Sequence, residues 1–182
     1  MPDTHPSVIS KPIFKAKLFE VVEEEITYPT GKKVIHHTAK RKPVVVMFPV
    51  TDKDEIVLVS EYRYMLGKTV VAAAAGFMDK EGESPLQAAK RELKEELGVT
   101  AFQWEQLATV ELASSVFKGQ AHLFLARDLA FGEQDLEEDE QITVTKMPLE
   151  EAVQKVMSGE ITNSASIIGI LMVDRLRREK KL

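Results

Sequence analysis

Glu92, Glu95 and Glu96 put three carboxylates into five positions of a stretch that reads as a helix. Helical positions three and four apart share a face, so Glu92 and Glu96 stack one turn apart with Glu95 beside Glu92, and all three can converge just off the surface. Left to themselves such like charges cost about 0.2–0.5 kcal/mol per pair in an isolated helix. A divalent cation would offset that repulsion. Oxygen ligands select hard ions, Mg²⁺ first and Mn²⁺ or Ca²⁺ next, and Mg²⁺ leaves coordination positions for phosphate oxygens. Zinc is disfavoured: the chain has no cysteine, and His5, His36, His37 and His122 show no ligand spacing beside a carboxylate motif. On these residues alone, a solvated helix face neutralised by Lys90, Arg91 and Lys94 competes with the metal reading.

The helix has its own start and stop. Ser84 supplies an N-cap hydroxyl, Pro85 suits the first helical position, Gln87 completes a capping box, and Gly98 ends the run. Leu86, Ala89, Leu93 and Leu97 recur at spacings of three and four, one apolar stripe beside the carboxylates. Upstream, residues 1–12, with Pro2, Pro6 and Pro12, offer little to bury and are expected to be disordered. Residues 13–43 form an expected β extension: alternation through Phe14–Ile26, a turn at Pro29–Gly31 and a return through Lys33–Thr38 read as an antiparallel hairpin. The main domain is 44–182. Val44–Val50 and Glu55–Val59 are core strands across a Thr51–Asp54 turn, and Val70–Ala75 is a strand leading into Gly76. Trp104–Leu112, Ala121–Ala126 and Ile142–Lys146 supply further strands, the last preceded by the acidic run Glu133–Glu140. Pro148–Ser158 and Asn163 to about Arg178 read as helices. This order predicts an α/β class fold, a mixed sheet covered on both faces as an α/β/α sandwich, behind an N-terminal β-hairpin extension.

A chain of 182 residues can bury its own core. Its net charge of −5 argues against binding a nucleic-acid backbone. The N-terminus lacks an apolar export segment and no apolar run is long enough to span a bilayer, so no membrane is expected and cytoplasm is the default compartment.

The string from Glu83 to Val99 resembles the signature of the Nudix hydrolases, Gly-x5-Glu-x7-Arg-Glu-aliphatic-x-Glu-Glu-x-Gly-aliphatic, matching every fixed position from Glu83 onward. Six residues, not five, separate Gly76 from Glu83, a difference the loop rather than the helix would absorb. Flanking segments, Glu61-Tyr-Arg63-Tyr64, Ala75-Gly76 and Ile161–Ser166, resemble the ADP-ribose pyrophosphatase group, which hydrolyses nucleoside diphosphate sugars. The resemblance implies the same sandwich fold and a metal site of Glu92, Glu95, Glu96 and the Ala75 carbonyl. Glu83 and Arg91 would hold those ligands in place. Arg63, Glu61 and Lys42 would contact substrate. A loop glutamate would act on the attacking water: Glu140, with Glu138 as the alternative and Glu95 as a further catalytic carboxylate. It further implies Mg²⁺, with Mn²⁺ as the substitute ion, and a homodimer built by the N-terminal strands, either paired or exchanged between subunits.

Two departures bear on the substrate. Ala72-Ala-Ala-Ala75-Gly76 stands where the group usually has Glu-Leu-Pro-Ala-Gly, and Ser114–Gln120 replaces a Ser-Pro-Gly loop, so GDP-mannose or a related sugar nucleotide fits as well as ADP-ribose. Cleavage would yield a nucleoside monophosphate and a sugar phosphate. The alternatives are a nucleotide-sugar sensor that binds without hydrolysis and a housecleaning pyrophosphohydrolase of nucleoside triphosphates.

Overall fold

The computed structural model describes residues 5–112, 115–136 and 141–182. They form two compact units, Met1–Pro43 with Glu111–Gln120, and Val44–Val110 with Ala121–Leu182.

In the first unit, β1 (Ser7–Lys15), β2 (Phe19–Thr27) and β3 (Lys33–Arg41) form an antiparallel meander, and the short β9 (Phe117–Lys118) adds in parallel to β3. The expectation of disorder through residue 12 is corrected here, because Ser7–Lys15 is a strand in register with β2. It escapes a pattern search because all nine residues are exposed, so no buried alternation marks it. The register slips between Pro12 and Phe14, where proline cannot donate to the ladder. The single strand read through Phe14–Ile26 is likewise two strands, parted by a turn at Ala16–Leu18, which makes the hairpin a three-stranded sheet. Gly31 closes the β2–β3 turn at φ 81°, its N–H donating to Tyr28 O. Val22 is the one buried apolar side chain among this unit's described residues.

The second unit is built around β4 (Val44–Pro49), whose six residues are all buried. A strand buried on both faces needs cover on both, and the side chains divide accordingly. Val45 and Met47 pack with Ala88, Ala89, Leu93 and Leu97 of α1 (Pro85–Leu97). Phe48, pointing the other way, meets α3 (Ser164–Arg178), where a Cβ on Gly169 would sit 1.9 Å from its ring. Burying each of the larger of these side chains, Val45, Met47, Phe48, Leu93 and Leu97, stabilises by roughly 1.5–3 kcal/mol. β4 lies in a mixed sheet of order β7-β4-β10-β8, antiparallel to β7 (Ala74–Phe77), parallel to β10 (Gln120–Phe131), with β8 (Val99–Glu111) outermost. A second, antiparallel sheet, β11-β5-β6, comprises β5 (Glu55–Arg63), β6 (Lys68–Ala72) and β11 (Ile142–Pro148), and α2 (Leu149–Met157) follows directly. The mixed α/β class and the sandwich are as the sequence predicts. Val70–Ala75 is not one strand, however: the ladder with β5 ends at Ala72, the ladder with β4 begins at Ala74, and Ala73 passes the chain from one sheet to the other. Among the described residues no helix is long and apolar enough to cross a membrane.

Candidate active site

α1 folds as its local signals require. Ser84 Oγ accepts from the Gln87 N–H (3.3 Å) and Gln87 Oε1 accepts from the Ser84 N–H (2.9 Å). Gly98 ends the helix at φ 63°, where any side chain would be strained, and a Cβ there would lie 2.6 Å from Gly132 O. The stripe is Ala88, Ala89, Leu93 and Leu97, whereas Leu86, in the first turn, is exposed. At 100° per residue, Glu96, Glu92 and Glu95 step in that order from the stripe toward solvent. Their exposure follows the same order: Glu96 is buried, the Glu92 side chain is 12% exposed and that of Glu95 34%.

Glu96 Oε2 accepts the N–H of Ala75 at 3.1 Å. Glu92 lies against Gly76, close enough that a Cβ on that glycine would fall 1.9 Å from the Glu92 carboxyl carbon. Hence the small-residue segment Ala75–Gly76 seats both glutamates. In an extended strand one residue's N–H and C=O point to the same edge, so the Ala75 carbonyl faces the edge on which Glu96 lies.

Arg91 knits the remaining carboxylates. Its Nε and Nη2 donate to the two oxygens of Glu83 (3.0 and 2.9 Å), its Nη1 to Glu92 (2.6 Å) and Glu95 (2.9 Å), and Nη2 also to Phe77 O (3.2 Å). The fork geometry of the guanidinium is what lets one residue serve all of them. Glu83 above all raises the Arg91 pKa beyond its ordinary value, and the hydrogen bonds from Arg91 hold the Glu83 carboxyl below the usual glutamate value. The residue by which the Gly76–Glu83 loop is longer is therefore absorbed in the loop, since Glu83 reaches Arg91 with both oxygens.

Among the described residues no three acidic or imidazole side chains are disposed around one point as metal ligands. The convergence that helix geometry allows is diverted by Arg91, the nearest positive charge, which takes oxygens of Glu92 and Glu95. The donor set nonetheless fits a hard divalent ion: Asp79, Glu83, Glu92, Glu95 and Glu96 stand against Arg91 and Lys80, leaving an excess of carboxylate oxygen.

The other expected residues fall as follows. Arg63 and Glu61, at the end of β5, pair with each other at 2.7 Å. Lys42 belongs to the first unit, lining with Lys15, Lys17, Lys40 and Arg41 a basic pocket of about 230 Å³. Arg41 is the more built of these cations: its side chain fills the space a Gly119 Cβ would need, 2.8 Å from Cγ, and its guanidinium carbon lies 5.9 Å from the Phe117 ring centroid. Glu138 and Glu140 lie outside the described residues. The segment before them is tied to the metal-candidate helix in a way no local pattern signals. Gly132 N–H donates to Gly98 O (2.7 Å), Asp135 N–H to Glu95 O (2.9 Å), and Gln134 Nε2 to Glu96 O (2.5 Å) and Ile142 O (3.4 Å). The last carbonyls of α1, orphaned by the end of the helix, are thereby satisfied from the loop that leads to the acidic run.

The model of the NUDIX domain matches residues 40–164. The chain belongs to the Nudix family. It is 31% identical over 166 residues to an ADP-ribose pyrophosphatase of Bacillus subtilis (strain 168), covering 90% of this chain and 89% of the relative. An ADP-ribose pyrophosphatase of Mycobacterium tuberculosis is 28% identical over 169 residues, covering 92% and 82%. A crystal structure of an ADP compounds hydrolase has the same fold, with a TM-score of 0.83 at 22% identity over 98% of this chain and 97% of that one. As a Nudix protein with such relatives along nine-tenths of its length, the chain is a pyrophosphatase-type hydrolase.

Proposed function

We propose that this Nudix hydrolase cleaves the diphosphate linkage of nucleoside diphosphate sugars, ADP-ribose or a near relative such as GDP-mannose, in a Mg²⁺-dependent reaction. The observation that carries the reading is the seating of Glu92 and Glu96 on Ala75–Gly76 amid an excess of carboxylates. It is supported by ADP-ribose pyrophosphatase relatives that match over nine-tenths of this chain.

Glu92, Glu96, Glu95 and the Ala75 carbonyl hold the divalent ion, Mg²⁺ or Mn²⁺. When bound, it neutralises diphosphate charge and makes a water more acidic. Arg91, anchored by both oxygens of Glu83 and by Phe77 O, sets the positions of Glu92 and Glu95. Glu140, or Glu138 in its place, takes the proton from the attacking water. A new water-oxygen bond to one phosphorus forms, the bridging P–O bond breaks, and the products are a nucleoside monophosphate and a sugar phosphate, for ADP-ribose AMP and ribose 5-phosphate. Arg63, Glu61 and Lys42 bind substrate. The basic pocket containing Lys42 suits an anionic ligand.

The working molecule is a cytoplasmic homodimer. A three-stranded sheet with one buried apolar side chain and an outer strand exposed throughout needs a cover, and a second copy of the same strands, paired or exchanged, supplies it.

The test is release of nucleoside monophosphate from ADP-ribose, GDP-mannose, other nucleoside diphosphate sugars and nucleoside triphosphates, with and without Mg²⁺. Metal-dependent cleavage of the diphosphate sugars is expected. Preference for triphosphates would replace the substrate class, and tight binding of nucleotide sugars without turnover would make the protein a sensor.

A further inference from the structure

Ala73 is where the chain changes sheets, and its N–H belongs to neither ladder. An unpaired buried donor there would be costly. It is met by Ser166 Oγ at 3.0 Å, a side chain 1% exposed on the first turn of α3. That hydroxyl in turn donates to Asn163 Oδ1 (3.1 Å), and the same Asn163 oxygen accepts the Ser166 N–H (3.0 Å), capping the helix. Asn163 thus fixes the direction in which the Ser166 lone pairs point.

The strand that follows is an edge strand, β7. The Ala73 N–H, between the two ladders, and the Ala75 N–H, on the open edge of β7, are each received by a side chain. Ser166 takes Ala73 and Glu96 takes Ala75. One residue further, Gly76 receives the Glu92 carboxylate. The four-residue segment 73–76 is therefore pinned at one end by α3, while its other end is the platform for two glutamates of α1. Ala72 and Ala74 are buried in the core and the ladders with β5 and β4 hold the chain on either side, while at Ala73, between the two ladders, the main chain is anchored by the hydrogen bond to Ser166.

We infer that Ser166, oriented by Asn163, is a positioning residue of the metal site: through the Ala73 N–H it sets where Ala75 and Gly76 stand against Glu96 and Glu92. The inference rests on the metal-site reading above. Groups that orient ligands without touching the ion typically change metal affinity about 10–100-fold when removed.

The experiment is direct titration of the purified protein with Mn²⁺, free ion being followed by electron paramagnetic resonance without substrate, on wild type, Ser166→Ala, Ser166→Thr, Asn163→Ala and, as control, Glu92→Gln. Ser166→Ala is expected to bind Mn²⁺ at least about tenfold more weakly while still unfolding cooperatively, with Ser166→Thr restoring much of the loss because it keeps the hydroxyl. If Ser166→Ala does not fold, Asn163→Ala, which leaves the Ser166 hydroxyl unoriented, is expected to show the same weakening. Unchanged Mn²⁺ affinity in whichever of the two alanine variants folds, despite a lowered Tm, overturns the inference and makes the bond purely structural. Mn²⁺ binding that Glu92→Gln leaves unchanged overturns the metal-site reading itself, whereas weakening by Glu92→Gln beside unchanged affinity in the alanine variants overturns the positioning role of Ser166 alone.

Discussion

At the scale of single residues, Gly76 and Glu83 separate site geometry from stability. The three atoms nearest to a Cβ at Gly76 all belong to the Glu92 carboxylate, the far end of a flexible side chain that can swing away. Gly76→Ala is therefore expected to change Tm by no more than about 2 °C, yet to weaken metal activation at least about tenfold. A Mg²⁺ titration of activity alongside calorimetry checks both. Glu83→Gln removes a charged, two-pronged hydrogen bond between side chains 12% and 16% exposed, and should cost about 1–3 kcal/mol. Because Arg91 depresses the folded-state value of Glu83, that contribution is fully present above the ordinary glutamate value and fades as pH falls through the depressed one. The stability gap between wild type and Glu83→Gln should thus be flat near neutrality and close below about pH 4, as urea unfolding across pH would show. The helix signature made Glu83, Arg91 and the three glutamates legible, because their roles depend on spacing along one helix and one loop. Gln134 was not legible: it acts on main-chain carbonyls of Glu96 and Ile142, and carbonyls leave no mark in a sequence.

At the scale of elements, α3 is held against β4 by the absence of a side chain at Gly169. Alanine in place of a helical glycine ordinarily gains up to about 1 kcal/mol. Here its Cβ would lie 1.9–2.5 Å from ring atoms of Phe48, which is fully buried and cannot retreat. Overpacking of this kind costs about 1–3 kcal/mol, so Gly169→Ala is expected to destabilise, read as a lower urea midpoint with unchanged slope. An increase in the midpoint would show that Phe48 yields. Caps and stops were readable because they are local: Ser84, Gln87 and Gly98 do what their types prescribe. The sheet switch at Ala73 was not, since Val70–Ala75 is one run of small and branched residues and only the distant partners β5 and β4 divide it. β1 was missed for the opposite reason, having no buried face to betray it.

For the whole molecule, the proposed dimer rests on the N-terminal sheet, whose outer strand β1 is exposed throughout. Ile9, 70% exposed on β1, is a suitable probe. Light scattering is expected to give a dimer for the wild type and a shift toward monomer for Ile9→Asp, whereas a monomeric wild type at micromolar concentration would remove the dimer from the account. The central claim is that the α1 glutamates hold the ion on which hydrolysis depends. Its most direct test is the rate of AMP release from ADP-ribose across a Mg²⁺ titration, for wild type and Glu96→Gln. Saturable activation of the wild type is expected, with the variant at least about a hundredfold slower even at saturating Mg²⁺. Full turnover by Glu96→Gln at saturating Mg²⁺ would contradict it.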